Sequence, residues 1–336
     1  MEALPDIEVL SPTTLAGVLE ARRAHPQASL LGGGTDLVVN IRRGIVEPPV
    51  LIEMNGVAEL HAIQADANAL EIGASATLTE ISRHPGVIAH YSVVAEAAAS
   101  IAGPTHRNMG TLGGNLCLDT RCIFYNQSHW WRSANNHCLK TVGDMCHVAP
   151  KSRGVCFATF SGDLAPALMV LGADVEIASA SGSRRTLPLR DLYIGDARHD
   201  GSGRGDGKRY LALAPGELVV AVRAKGTPSL RSAYDKIRIR RSIEYPVAGV
   251  AVALRRESDA LANLRVAITG TNPRPVLLEG TQDLCGGPLD DRVLKGLDAL
   301  VRDQIMSMKT TFTPGHYRRR MAGVLARRLV QRLFDL

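Results

Sequence analysis

The sequence predicts an α+β protein, with an N-terminal α/β part in two lobes and a C-terminal part in which an antiparallel sheet is followed by helices. Three observations predict it. Up to about Ser100, helically spaced apolar residues alternate with short apolar runs. Val219–Arg223, Leu230–Ile239 and Leu264–Thr269 then read as strands. Finally, Tyr317, Met321, Val324, Leu325, Leu329 and Leu333 repeat with a period of about 3.6, the stripe of a helix docked on a core. Strands followed by helices are the signature of the α+β class. With 336 residues the chain is long enough for more than one domain. The division expected is 1–216, in lobes of about 1–55 and 56–216, followed by 217–336.

In chain order, Ser11-Pro12-Thr13-Thr14 supplies a helix start, and Leu15, Val18, Leu19 and Ala21 keep helical spacing up to Pro26. The apolar run Ala28–Leu31 leads directly into Gly32-Gly33-Gly34-Thr35-Asp36. Glycines there leave backbone N–H groups bare and permit positive φ, so the turn can close around phosphate oxygens; a plain tight turn explains the glycines equally well. Neither the GxGxxG dinucleotide fingerprint nor a Gly-Lys-Ser/Thr phosphate loop is present. A second glycine-rich stretch, Gly103–Asn115, follows the helical Val93–Ala99 and ends in Gly110-Thr111-Leu112-Gly113-Gly114-Asn115. Two such loops could hold one extended pyrophosphate ligand from both ends.

Five of the six cysteines, Cys117, Cys122, Cys138, Cys146 and Cys156, fall in one stretch that also contains both tryptophans, Trp130 and Trp131; Cys285 lies far downstream. Thiolates are the preferred ligands of zinc and of iron–sulfur clusters, so a metal site is the leading reading. The gaps match neither a zinc ribbon nor a bacterial ferredoxin run. Buried cysteines acting as small hydrophobes, or a disulfide pair, remain open. A loop so rich in polar residues and glycine carries a large ordering cost unless something ties it down, and converging thiolates would do so.

No apolar run reaches the ~20 residues needed to cross a membrane, and the N-terminus lacks a basic segment leading into an apolar core, so the cytoplasm is the expected compartment. The net charge of +6 is moderate, with basic residues gathered at Arg238–Arg241 and near the C-terminus. Such patches suit a partner subunit or a phosphorylated ligand as well as nucleic acid. The periodic last helix favours docking over nucleic-acid reading. Asp200–Gly207 has the look of a calcium loop but lacks the bidentate Glu, which leaves a surface loop.

The stretches GGGTDL (Gly32–Leu37) and RNMGTLGGN (Arg107–Asn115), with Ser161–Leu168, Lys236-Ile237-Arg238 and Ile268–Pro275, resemble the FAD-binding medium subunits of the molybdenum hydroxylases, the xanthine oxidase and carbon monoxide dehydrogenase flavoproteins. The resemblance runs along essentially the whole chain. It implies a two-lobed FAD-binding domain of the PCMH type and a flavin lying between it and the C-terminal domain. Carried over residue by residue, Leu31, Gly32, Gly33, Gly34, Thr35 and Asp36 would hold the pyrophosphate, mainly through backbone N–H groups. Thr111, Leu112, Gly113, Gly114 and Asn115 would form the facing loop, Asp163 would bond the ribose or ribityl chain, and Lys236 would bring positive charge toward the flavin. Two of these have plainer alternatives: Asp163 could cap the helix that begins at Leu164, and Lys236 could belong to a solvated basic row with Arg238 and Arg240.

The departure from that pattern is an inserted stretch, 118–156. Its Asp119-Thr120-Arg121-Cys122, Tyr125-Asn126-Gln127, Trp130-Trp131-Arg132, Cys138-Leu139-Lys140 and Cys146-His147 resemble the flavoprotein β subunits of the 4-hydroxybenzoyl-CoA reductases, whose insert holds an additional [4Fe–4S] cluster. The resemblance implies Cys122, Cys138, Cys146 and Cys156 as its ligands, with Cys117 belonging to the flavin loop and His129, His137 and His147 excluded. Trp130, Trp131, Phe124 and Tyr125 are expected to form a small core around the cluster. The chain would then be an electron-transfer subunit without a catalytic residue of its own. Its implied partners are a large subunit carrying the molybdenum cofactor, a small [2Fe–2S] subunit and a ferredoxin-like donor, in a dimer of heterotrimers. An oxidative hydroxylase passing electrons outward, or a zinc-stabilised nucleic-acid binder, are the competing readings.

Overall fold

The computed structural model describes residues 5–196, 205–227, 229–240 and 243–336; residues 200–204 of the glycine-rich surface loop and Arg241 of the basic row lie outside these. The first lobe is a small parallel sheet in which Val50–Glu53 lies between Glu8–Leu10 and Ser29–Leu31. Parallel strands need crossovers: the helix Leu15–Ala24 joins the two outer strands, and the helix Leu37–Arg42 lies in the connection from Ser29–Leu31 to its neighbour Val50–Glu53. Thr14 starts the first of these helices by accepting the Gly17 N–H at 3.1 Å. Its Leu15 and Val18 pack on Val50, Ile52 and Met54. The strand Ser29–Leu31 hands the chain to Gly32–Asp36, where Gly34 has φ +69°.

The second lobe is a five-stranded antiparallel sheet ordered Ile63–Ala65, Ala69–Gly73, Leu218–Lys225, Asp174–Ala178, Arg184–Pro188. The segment Val219–Arg223, expected in the C-terminal sheet, is therefore the middle strand of this one, paired with Ala69–Gly73 and Asp174–Ala178. Its nearly continuous apolar run announces a buried strand without saying which sheet buries it. The helices Ser92–Ser100 and Leu164–Val170 share a core with this sheet, through Val93, Val94, Leu164 and Leu168 against Ile72, Val175 and Val222.

The C-terminal sheet is antiparallel and ordered Val276–Leu277, Ala260–Thr269, Ala248–Glu257, Arg231–Ile237. The helices Asp291–Gln304 and Gly315–Asp335 cover it, burying Leu297, Val301, Leu325 and Leu329 against Val250, Val252 and Val266. Among the described residues, no helix is long and apolar enough to cross a membrane.

Arg318, fully buried, pins the last helix. It donates to the carbonyls of Val247 (3.1 Å), Met308 (3.0 Å) and Gly270, and to the Thr310 hydroxyl at 2.9 Å. Thr310 in turn accepts the Ile123 N–H at 2.9 Å and pairs with the Thr159 hydroxyl at 2.6 Å, so the terminal helix is linked to the inserted stretch. Arg318→Met would strand several buried acceptors at once. The expected cost is on the order of 3 kcal/mol, against less than about 0.5 kcal/mol for the surface variant Arg332→Met. Denaturant melts of both variants check the difference.

Candidate functional site

The two glycine loops meet face to face and form one side of a cavity of about 730 Å³, a volume suited to a cofactor. The second loop is positioned by the short helix Leu112–Leu116, whose first turn is capped by Thr111 accepting the Gly114 N–H at 3.2 Å. Backbone bonds from Leu112 and Gly113 to the carbonyls of Ala76 (2.9 Å) and Ala74 (2.8 Å) fasten it to the second lobe. The glycines are demanded by the approach of the loops to each other. A Cβ on Gly33 would stand 1.7 Å from the Met109 carbonyl oxygen, one on Gly32 would stand 2.9 Å from the Thr111 hydroxyl, and Gly34 holds positive φ. Among the described residues, no protein acceptor takes the N–H groups of Gly32, Gly33, Gly34 or Thr35, which leaves a set of donors suited to an anion.

Of the residues expected in the site, Gly32, Gly33, Gly34, Thr35, Asp36, Thr111, Gly113, Gly114, Asn115 and Asp163 line the cavity. Leu31, Leu112 and Lys236 are not on its wall: Leu31 ends a strand, and Leu112 is a fully buried core residue. Lys236, also buried, bonds Asp163 Oδ2 through its Nζ at 3.1 Å, which replaces the solvated basic row. Asp163 sits at the helix start without a side-chain cap bond, and its other oxygen accepts from the Tyr234 hydroxyl. Burial, then the neighbouring Asp163 carboxylate, holds the Tyr234 phenol well above its ordinary range. Gly249 on the next strand is what admits the ring, since a Cβ there would lie 2.2 Å from the Tyr234 hydroxyl. Asp163 thus joins the cavity-lining lobe to the C-terminal sheet.

Sequence reasoning missed Arg22, His106, Asp119 and Tyr245, which also line the cavity. Each comes from a different element, and no local pattern marks them. His106 and Asp119 lay in stretches already singled out, but without a role of their own.

In the inserted stretch, Cys122, Cys138, Cys146 and Cys156 are buried free thiols. The carbonyls of Cys122, Cys138 and Cys146 accept the N–H groups of Tyr125, Thr141 and Ala149, so each of these three cysteines opens a tight turn. Cys156 Sγ accepts the Ala158 N–H at 3.5 Å, and its backbone is held by Asp206 (2.9 Å) and Gly207 (2.8 Å). Cys122, Cys138 and Cys156 share one apolar patch, and Cys146 an adjoining one; Leu139 and Val148 pack against both. Burial raises the Cys122 thiol to about 11 and the Cys156 thiol to about 12. In this arrangement of the side chains, among the described residues, no three His, Cys, Asp or Glu groups are gathered closely enough to hold a metal ion. The four thiols are thus neighbours in the insert without converging on one point.

The expected aromatic core is only partly formed. Tyr125 is buried, and Phe124 packs on Trp131 and His147 at ring separations of 6.4 and 5.4 Å. Trp130 is 76% exposed, because its helix His129–Ala134 turns Arg132 inward instead, to the carbonyls of Gly44 (2.6 Å) and Gln127.

Two families match in succession: the FAD binding domain in molybdopterin dehydrogenase over residues 5–224 and the CO dehydrogenase flavoprotein C-terminal domain over residues 232–333. The chain is 29% identical to the aldehyde oxidoreductase FAD-binding subunit PaoB of Escherichia coli over 94% of its length and 95% of the relative's. It is 27% identical to the carbon monoxide dehydrogenase medium chain of Afipia carboxidovorans, over 90% and 87%. Solved structures of the Cu,Mo-CO dehydrogenase and of quinoline 2-oxidoreductase from Pseudomonas putida 86 share its fold, with TM-scores of 0.78 and 0.76 at 23% and 20% identity, each over 99% of both chains.

Because a Cβ at Gly33 would force the loops apart, Gly33→Val should abolish flavin retention and Gly33→Ala should reduce it severely, with the C-terminal domain still folded. Flavin absorbance per chain after gel filtration checks this; a stoichiometric Gly33→Val protein would show that the loop contact is dispensable.

Proposed function

The chain belongs to the FAD-binding subunits of the molybdenum hydroxylase family, and from that premise we propose that it is the FAD- and [4Fe–4S]-containing electron-transfer subunit of an enzyme of the 4-hydroxybenzoyl-CoA reductase type. The observation that carries this reading is the set of four buried free thiols, each in or beside a turn, on a stretch attached to the flavin-binding fold. The residues of the cavity fit FAD. The bare N–H groups of Gly32–Thr35 would take the pyrophosphate, and Asp163, held in place by Tyr234 and Lys236, would accept from the sugar-alcohol chain. Lys236 also balances the Asp163 charge in a site with little water access, which keeps a carboxylate tolerable there. Cys122, Cys138, Cys146 and Cys156 would hold the cluster, each thiol losing its proton to the solvent on ligation.

When bound, FAD supplies one- and two-electron chemistry and the cluster one-electron transfer, which suits a one-electron carrier such as a ferredoxin as donor. The organic reaction belongs to a partner large subunit with the molybdenum cofactor, reached through a small [2Fe–2S] subunit, in a cytoplasmic dimer of heterotrimers. The relatives favour a second reading, an oxidative enzyme passing electrons outward, since one is a subunit of an aldehyde oxidoreductase and another of a nicotinate dehydrogenase. The assembled complex separates the two. Reduction of 4-hydroxybenzoyl-CoA by reduced ferredoxin supports the first; aldehyde or nicotinate oxidation with an artificial acceptor, and no dehydroxylation, supports the second.

The ligand assignment has its own test. Single Cys→Ser changes at positions 122, 138, 146 and 156 should remove or convert the cluster, since an alkoxide is a poor iron ligand beside a thiolate. Cys117→Ser and Cys285→Ser should keep iron at the wild-type level, and FAD should stay in all six. Intact iron in the Cys138 variant, or lost iron in Cys117→Ser, overturns the assignment.

A further inference from the structure

Asp36 presents a difficulty for an anion site. It lies in the glycine loop and lines the cavity, so its carboxylate shares a confined space with the diphosphate that the bare N–H groups of the loop are suited to hold. Like charges in a cleft of low water content repel strongly. The countercharge comes from the inserted stretch. Arg121, the residue before Cys122, pairs with Asp36 Oδ1 through its guanidinium. The pair is largely shielded, with side-chain exposures of 14% for Arg121 and 24% for Asp36.

Three further residues, Tyr245, Asn40 and Thr159, fix this pair. Tyr245 donates its hydroxyl to Asp36 Oδ1 at 3.3 Å and places its ring 5.0 Å from the Arg121 guanidinium carbon. Asn40 donates to Asp36 Oδ2 at 3.1 Å. The Arg121 backbone is locked to Thr159 by reciprocal N–H to carbonyl bonds of 2.7 Å, so the guanidinium is delivered from a rigid position. Its Nε is buried without a partner, so Asp36 does not exhaust its donors.

Resting on the FAD reading of the cavity, we propose that Arg121 is a cofactor-positioning residue supplied by the insert: it neutralises Asp36 so that the diphosphate of FAD can bind, and thereby makes flavin affinity depend on the cysteine-bearing stretch. The insert would then serve the flavin site as well as its own cysteines. Its link to Asp36 of the glycine loop is the ion pair next to Cys122.

The test is a charge cycle on the full-length chain, read as the FAD dissociation constant of deflavinated protein by fluorescence quenching. Arg121→Gln should weaken binding at least tenfold, Arg121→Lys should recover most of the loss, and Asp36→Asn alone should bind more tightly than wild type, because the Arg121 charge is then left for the diphosphate. The double variant Arg121→Gln with Asp36→Asn should return to near wild type, because the uncompensated carboxylate is gone. Circular dichroism melts confirm that each variant is folded. Wild-type affinity in Arg121→Gln overturns the proposal, and so does a double variant as weak as the single one, which would make Arg121 a mere brace of the loop. Failure of the wild-type chain to bind FAD would instead overturn the cofactor reading itself, and this proposal with it.

Discussion

The fold turns on one close approach, the passage of Gly33 against the backbone of Met109 and Gly110. No side chain larger than hydrogen fits there, so the two lobes can meet only where glycines stand on the first loop. That contact brings Gly32–Asp36, at the end of a parallel strand, opposite Thr111–Asn115, at the start of a short helix. The amide groups left over at the seam add backbone donors to a cavity wall that also carries the carboxylates of Asp36 and Asp163. Binding capacity is thus a by-product of how the lobes pack.

The other parts are attached to this seam by buried polar links. Asp163 reaches across to Tyr234 and Lys236, so the C-terminal sheet is held to the cavity by a carboxylate that faces it. The inserted stretch is held at both of its flanks: Arg121 and Thr159 pair in the backbone, and Ile123 bonds Thr310, which Arg318 fixes from the terminal helix. Lys140 closes the inner side, with its Nζ on Asp119 at 2.7 Å and over the Tyr125 ring at 4.4 Å. Buried polar groups of this kind are costly when any one partner is missing. They set the positions of the flavin loops, the insert and the C-terminal domain relative to one another.

Much of this was legible in the sequence because it rests on local chemistry. Thr14 ahead of Leu15, the glycine runs and the amphipathic stripe of residues 317–333 each declare a local conformation, and the structure has a helix, two tight loops and a helix there. What escaped depends on partners distant in the chain. The middle strand Leu218–Lys225 shows its burial but not its sheet, and Lys236 looks like a member of a solvated basic row until Asp163 is placed opposite it. Trp130 was expected in a small aromatic core around the cluster, whereas the helix phase that brings Arg132 to Gly44 puts it outside. The Arg121–Asp36 pair, between positions 85 apart in the chain, has no sequence signal at all.

What the wild-type chain carries when purified without oxygen is the most direct measure of the two proposed cofactors. Parallel flavin and iron determinations, with an electron paramagnetic resonance spectrum after reduction, measure it. One FAD and about four iron atoms per chain, with the signal of a reduced [4Fe–4S] centre, are the result expected. Stoichiometric flavin with no iron, or zinc in its place, would contradict it.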